Sequence, residues 1–136
     1  MVPRNKRTLP LLVQRDALRN FNPKAQISLE NNQLVWIEEI TPSPISLTYR
    51  VKIVYRLNEW PKVYVLEPEL IIAHGHVLPH VYSTPEKKLC LYYRDHQGWT
   101  PSKLIAHTIV LWTSEWLYHY EIWVATGLWN GGGTIH

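Results

Sequence analysis

Apolar and polar residues alternate along the middle of the chain in a pattern that predicts an antiparallel sheet. In the longest run, residues 45–57, every second position is apolar or aromatic and the positions between are mostly polar. Such alternation predicts a strand with one face on a core and the other facing water. Shorter runs predict strands at Gln26–Glu30, Gln33–Ile40 and 62–66, and the prolines within 41–44 interrupt the sheet.

Helix-ending and turn residues delimit the first elements. Pro10 suits the first turn of a helix and Asn22, followed by proline, ends one, so a first helix is predicted over Leu11–Phe21. Asn31 and Asn32 tolerate positive φ and predict a two-residue turn between the first two strands.

A second helical pattern fills the C-terminal third. Residues 102–111 have a helical tendency, Thr113 or Ser114 is suited to cap the next segment, and Gly127 is suited to end it. The expected fold class is therefore α+β: a helix, a four-stranded antiparallel meander, a loop and C-terminal helices. An aromatic stripe at helical spacing predicts the buried face of the last helix: Trp112, Trp116, Tyr120, Trp123 and Val124.

Length and composition fit one domain without cross-links. A chain of 136 residues can bury about two-thirds of its unfolded surface. The single cysteine, Cys90, excludes an intramolecular disulfide and suits a reducing compartment. Residues 9–13 are too short an apolar run for a signal peptide, and no run of 18 apolar residues occurs. We therefore expect a cytoplasmic protein with no membrane partner.

The charge is mild, with a net value of +3, and is mixed along the chain. A basic cluster near the N-terminus (Arg4, Lys6 and Arg7) predicts a solvated tail, with binding to an acidic protein surface as the alternative. The many tryptophans could stack on single-stranded nucleic acid, but the sequence lacks the basic groove that this needs. We expect no nucleic-acid partner.

Cys90 is the candidate reactive group. Two flanking leucines also suit an inert, buried cysteine. Lys87, Lys88 and Arg94 are close in sequence, however, and nearby cations favour the thiolate, which is the attacking species. His80 is close enough along the chain to serve as a hydrogen-bond donor.

The segment 78–101 resembles the active-site segment of ubiquitin-conjugating enzymes. Pro-His-Val-Tyr, a polar loop at 83–88, Leu-Cys-Leu and Trp-Thr-Pro stand where those enzymes have His-Pro-Asn-x-Tyr, Ile-Cys-Leu and Trp-Ser-Pro. Leu78 replaces the family's histidine, His80 stands at its asparagine, and the loop is longer by about two residues. The segment 108–133 resembles instead the small bacterial conjugating-enzyme-like proteins of type II antiphage (CBASS) operons.

The resemblance implies one ubiquitin-conjugating-enzyme-like domain over 1–136, with a basic tail at 1–8 and a flexible tail at 131–136. It implies an acyl transferase in which Cys90 takes a partner's C-terminal carboxyl as a thioester and passes it to an amine. His80 would donate a hydrogen bond to the oxyanion, as the family's asparagine does, and Trp99 would pack rather than react. The implied partner is a cGAS-like cyclic-nucleotide synthase (CD-NTase), bound through its C-terminal tail, and no cofactor is implied.

Two alternatives remain open. The chain could be a non-catalytic module that clamps the synthase. It could also bind zinc through His74, His76, His80 and Cys90, because three nitrogens and one sulfur suit that ion. Histidines at this spacing also occur as ordinary loop residues, and the sequence has no second cysteine and no H-E-x-x-H motif. The metal signal is therefore weak, and we predict no metal site.

Overall fold

The computed structural model describes residues 8–70, 81–83, 88–89 and 99–128. The elements within these ranges are α1 Leu11–Phe21, β1 Gln26–Glu30, β2 Gln33–Ile40, β3 Tyr49–Arg56, β4 Lys62–Glu67, β5 Val81–Ser83, β6 Lys88–Leu89, a 3-10 helix Ile105–His107 and α2 Ile109–Thr126. The strands form one antiparallel sheet in the order β1-β2-β3-β4-β6-β5. The predicted α+β class, with a helix, a meander and a C-terminal helix, is confirmed, and two short strands are added to the sheet.

The first helix and the first two strands have the bounds that the sequence predicts. Pro10 precedes α1 in an extended conformation, and the Asn22 N–H donates to the Leu18 carbonyl where the helix ends. Asn31 and Asn32 have φ of 54° and 60°, the left-handed conformation that asparagine tolerates better than most residues. Local turn chemistry therefore sets these boundaries.

The prediction of a strand over 45–57 is wrong at its beginning. β3 starts at Tyr49, which pairs with Ile40, the last residue of β2. Pro42 and Pro44 lie in the connection between them, and proline has no N–H to donate to a neighbouring strand. Residues 45–48 therefore continue the alternating pattern without a strand to pair with.

The predicted loop at 83–88 begins and ends in paired strands. Ser83 of β5 lies opposite Lys88 of β6, and Val81 lies opposite Leu89, with an irregularity between the two pairs. β6 in turn pairs with β4 through Lys88 and Tyr64. The segment before the cysteine is thus joined to the edge of the sheet. β4 itself ends at Glu67, one residue later than predicted.

The C-terminal helix begins earlier than the sequence predicts. α2 starts at Ile109, directly after the 3-10 helix, so the prediction of a cap at Thr113 or Ser114 is wrong. Thr113 is instead buried inside α2 and donates its hydroxyl to the Ile109 carbonyl at 2.7 Å. Gly127 ends the helix with φ of 81°, as predicted.

The core lies between one face of the sheet and the helices. Buried residues alternate along β3, and they join buried residues of β2, β4, α1 and α2 in one cluster. The aromatic stripe of α2 is buried at Trp116, Tyr120 and Trp123 and half-buried at Trp112 and Val124, so the predicted face is confirmed. Within the part of the chain described, no helix is long and apolar enough to cross a bilayer.

One buried side chain on α1 is polar. Gln14 lies on the same side of α1 as Leu11 and Leu18, and its side chain is fully buried, with 0% exposure. Its side-chain nitrogen donates to the Lys103 carbonyl at 2.8 Å, and its side-chain oxygen accepts the Ile105 N–H at 2.9 Å. Gln14 therefore holds the chain between Trp99 and α2 against the first helix.

We expect Gln14→Ala to lower the free energy of unfolding by about 1–3 kcal/mol, because it removes the acceptor of the buried Ile105 N–H. Chemical denaturation measures this loss. Asn20→Ala, an exposed change on the same helix, is the matched control and should stay within about 0.5 kcal/mol of wild type. Equal effects of the two changes would show that the Gln14 bridge contributes nothing.

Candidate active site

The candidate site is framed by the β5–β6 hairpin at the edge of the sheet. Leu89, the last residue of β6, is 1% exposed and belongs to the main hydrophobic cluster. Its partner across the hairpin is Val81, the first residue of β5. A buried leucine therefore fixes the backbone immediately before Cys90, and Val81 fixes it immediately after His80.

Cys90 and His80 themselves lie outside the described residues. So do Lys87 and Arg94, the histidines of the proposed zinc set, and both predicted tails apart from Thr8. The oxyanion role of His80 and the thiolate character of Cys90 therefore stay predictions. Across the described part of the chain, no cluster of three or more histidine, cysteine, aspartate or glutamate side chains could hold a metal ion.

Trp99 anchors the chain on the other side of Cys90. It is 1% exposed, and its ring meets that of Tyr55 edge to face with centroids 5.6 Å apart. Its Nε1 donates to the Thr108 hydroxyl at 3.0 Å, and that hydroxyl donates to the Leu104 carbonyl at 2.7 Å. Trp99 packs in the core, as expected, so the nearest described residues on both sides of Cys90, Leu89 and Trp99, are buried.

The chain after Trp99 is tied to the N-terminal region. The Leu9 N–H donates to the Pro101 carbonyl at 2.9 Å, and Gln14 bridges residues 103 and 105 from α1. Thr8 also contacts the turn after β3, through a hydrogen bond to Asn58 at 3.1 Å. These contacts make α1 part of the support for the candidate site.

A second polar side chain that joins distant elements, besides Gln14, lies on α2 and contacts the connection between β2 and β3. The Glu121 carboxylate of α2 accepts hydrogen bonds from the Ser46 hydroxyl at 2.6 Å, the Leu47 N–H at 3.1 Å and the Tyr49 hydroxyl at 2.7 Å. Burial raises the pKa of Tyr49 well above its usual range, and the hydrogen bond to Glu121 and the charge of that carboxylate raise it further. The phenol therefore stays protonated and continues to donate.

Sequence reasoning missed both polar anchors. Gln14 carries a weak signal, because it occupies a position of the apolar stripe of α1 where a partnered polar side chain is the alternative to an apolar one. Glu121 carries none, since it lies off the aromatic stripe of α2, and its partners are more than 70 residues away in sequence. Long-range partners of this kind become apparent only in the folded chain.

Comparison with protein-family models identifies the family of the chain. Residues 14–136 match the model of a family described as Type II CBASS E2 protein. The chain belongs to this family. The comparison with curated proteins found no match. The matched region includes α1 from Gln14 onward, the whole described sheet and α2, so the Type II CBASS E2 assignment covers the described strands and helices on both sides of Cys90 in sequence.

Proposed function

We propose that this Type II CBASS E2 protein is a cysteine-dependent acyl transferase. Cys90 accepts the C-terminal carboxyl of a partner protein as a thioester and passes it to an amine. The partner is a cGAS-like cyclic-nucleotide synthase (CD-NTase), which presents its C-terminal tail to the thiol. Membership of the family supports the antiphage setting, and the resemblance around Cys90 supports the chemistry.

The reaction needs a carboxyl that arrives activated, as an acyl adenylate or as a thioester on another protein. The Cys90 thiolate attacks the carbonyl carbon, the carbonyl oxygen takes the negative charge, and the activating group leaves as the new thioester forms. An amine then attacks the thioester, a proton leaves the amine nitrogen, and the Cys90 thiolate is released. Activation itself comes from another protein or domain.

The observation that supports the proposal most directly is the pairing of Val81 with Leu89. In the sequence, His80 comes directly before Val81 and Cys90 directly after Leu89. The two residues to which the resemblance assigns catalysis are therefore the covalent neighbours of one directly opposed pair in the sheet.

The burial of Leu89 and Trp99, on either side of Cys90 in sequence, supports the same function. Acyl transfer depends on holding the nucleophile and the carbonyl in a narrow range of geometries, and good positioning is worth about 7–11 kcal/mol. Leu89 and Trp99 are both buried, so the chain on each side of residues 90–98 is anchored in the core.

We expect His80→Ala to slow transfer of the acyl group by about a hundred- to a thousandfold, the usual cost of removing one oxyanion donor. Binding of the synthase should be unchanged, because the lost interaction forms only in the transition state. Single-turnover kinetics of thioester formation, read by mass spectrometry, measure the rate. His80→Asn restores the amide that the related enzymes use and should recover most of it.

The zinc alternative predicts a different outcome for the same variant. Purified wild-type protein would then carry close to one metal ion per chain, and His80→Ala would lose it. Elemental analysis of both proteins distinguishes the two roles. Stoichiometric zinc that disappears with His80 would contradict its assignment as an oxyanion donor.

A further inference from the structure

Charged residues are distributed unequally between the two halves of the sheet. The strands β1 and β2 contain acidic residues and no basic ones, whereas β3 to β6 contain mostly basic ones. The acidic residues of the first half are Glu30, Glu38 and Glu39, and the charged residues of the second half are Arg50, Lys52, Arg56, Lys62, Lys88 and Glu67. The strand that ends directly before Cys90 therefore belongs to the basic half, and nearby positive charge favours a thiolate.

The pairing of β4 with β6 identifies which basic residue is nearest in register to the thiol. Tyr64 of β4 lies opposite Lys88 of β6. Because the two strands are antiparallel, one step forward along β6 corresponds to one step back along β4, so Leu89 is level with Val63. Both of these side chains are 1% exposed and belong to the main hydrophobic cluster, as neighbours on the core face of the sheet should.

One further step along the two chains leads to Lys62 and to Cys90. Lys62 directly precedes Val63, and Cys90 directly follows Leu89. Side chains alternate between the two faces of a strand, and Lys62 is exposed where Val63 is buried. Lys62 is thus the basic residue that both register and alternation bring nearest to the position after Leu89.

The ammonium group of Lys62 is available to an anion. Within the described residues its side chain forms no hydrogen bond and no ion pair. The one carboxylate of β4, that of Glu67, is at the other end of the strand and opposite Arg50 on β3. Glu59 precedes β4 in the turn after β3, and Lys52 lies on β3, one strand further from β6. Lys62 therefore combines the nearest position with an unpaired charge.

We propose that Lys62 is a positioning residue for the thiol: its ammonium group lies beside Cys90 and stabilises the thiolate over the neutral thiol. The inference rests on the proposed function for the role of the thiolate, and on the β4–β6 register for the choice of Lys62 among the basic residues. The thiolate is the species that attacks the acyl donor, so a larger thiolate fraction at neutral pH speeds thioester formation.

Removal of the Lys62 charge should affect the thiol with a defined sign. The thiolate loses a favourable interaction, so the pKa of the Cys90 thiol rises and the thiolate fraction falls at neutral pH. At a pH above both pKa values the thiol is ionised in either protein, and the difference disappears. Salt screens the interaction between the two charges, so the difference also shrinks as the ionic strength rises. A side chain with only a structural role would produce neither dependence.

The test measures alkylation of Cys90 by iodoacetamide in the full-length protein, from about pH 6 to about pH 10, with mass spectrometry as the readout. The reagent is uncharged and the chain has one cysteine, so the rate reports the thiolate fraction of Cys90. We expect Lys62→Gln to slow alkylation about three- to tenfold near neutral pH and to approach the wild-type rate at the highest pH. Lys62→Arg keeps the charge and should stay within about twofold of wild type.

Lys24→Gln is the matched control, because it makes the same change at an exposed lysine just before β1. β1 is four strands from β6, which is about 19 Å across the sheet and beyond the screening length of about 8 Å. The alkylation profile of this variant should superimpose on that of the wild type.

A profile of Lys62→Gln that matches the wild type would overturn the role of Lys62. So would a rate that falls equally at every pH, or a failure of Lys62→Arg to restore it, because the change would then act on access to the thiol and not on its charge. The adduct with the synthase is a separate measurement. An intact adduct with no pH-dependent difference rejects only the role of Lys62, whereas the expected difference with no adduct in the wild type rejects only the transferase.

Discussion

Cys90→Ala should abolish every covalent adduct between this protein and the synthase. The chain has one cysteine, so no second thiol can replace it. The methyl group of alanine cannot attack a carbonyl, and the effect should therefore be complete rather than partial. Mass spectrometry of the co-expressed pair measures the adduct, which hydroxylamine should cleave in the wild type because a thioester reacts with it.

Cys90→Ser is the matched variant for this test. Serine has nearly the shape of cysteine but a far less acidic hydroxyl, so it should form at most a trace of an oxygen ester. Thermal unfolding must show that both variants fold. An adduct of wild-type abundance in Cys90→Ala would remove Cys90 from the mechanism.

Turn chemistry explains why the N-terminal half could be predicted closely. Pro10 and Asn22 bound α1, and the two asparagines at 31 and 32 bound β1 and β2, each through a local backbone preference. Such preferences act within a few residues and are readable in the sequence. The bounds of these elements consequently needed no information from the rest of the fold.

Alternation alone was a weaker guide, because a strand needs a partner as well as a pattern. Ile45 and Leu47 continue the alternation of β3, yet pairing with β2 ends at Tyr49. The carboxylate of Glu121 then fixes the unpaired residues in another conformation. What looked like the start of a strand is an exposed loop, in which Ile45 is 98% exposed.

At the start of α2, the hydroxyl of Thr108 bonds to other groups and is not available to cap the helix. Thr108 precedes the helix, but its side chain does not cap it, since the hydroxyl accepts from Trp99 and donates to Leu104. The sequence favoured Thr113 or Ser114 as a cap because small hydroxyl residues often take that position. The contact with Trp99, which no local pattern indicates, occupies the hydroxyl of the residue that directly precedes the helix.

The candidate site also combines features that the sequence predicts with features that only the fold reveals. Its chemistry was predicted by resemblance, from Cys90, His80 and the segments around them. Its supports follow from contacts that no local pattern indicates: Gln14 bonds to groups that lie 89 and 91 positions away in sequence, and Val81 pairs with Leu89. Which residues react stays a prediction from the sequence, and how their neighbours are held needed the fold.

Removing the last residue of the synthase, or replacing it by tryptophan, should block formation of the Cys90 adduct while the two proteins still associate. The donor carboxyl must enter beside the β5–β6 hairpin, whose strands pair at Ser83 and Lys88. A large terminal side chain would need space at this edge, and a shortened tail would leave the carbonyl short of the thiol. Because positioning contributes about 7–11 kcal/mol, even a small displacement should be visible in the rate.

Replacement of the last residue by alanine is the control for this prediction, since it keeps the tail length and adds little volume. Its adduct should form at a rate close to that of the natural tail, and the three altered tails should bind with similar Kd. A clamp behaves differently, because its affinity comes from a few buried anchors and not from the terminal carboxyl. An unchanged adduct with the shortened tail would exclude carboxyl transfer, and intact binding with no adduct even in the wild type would establish the clamp.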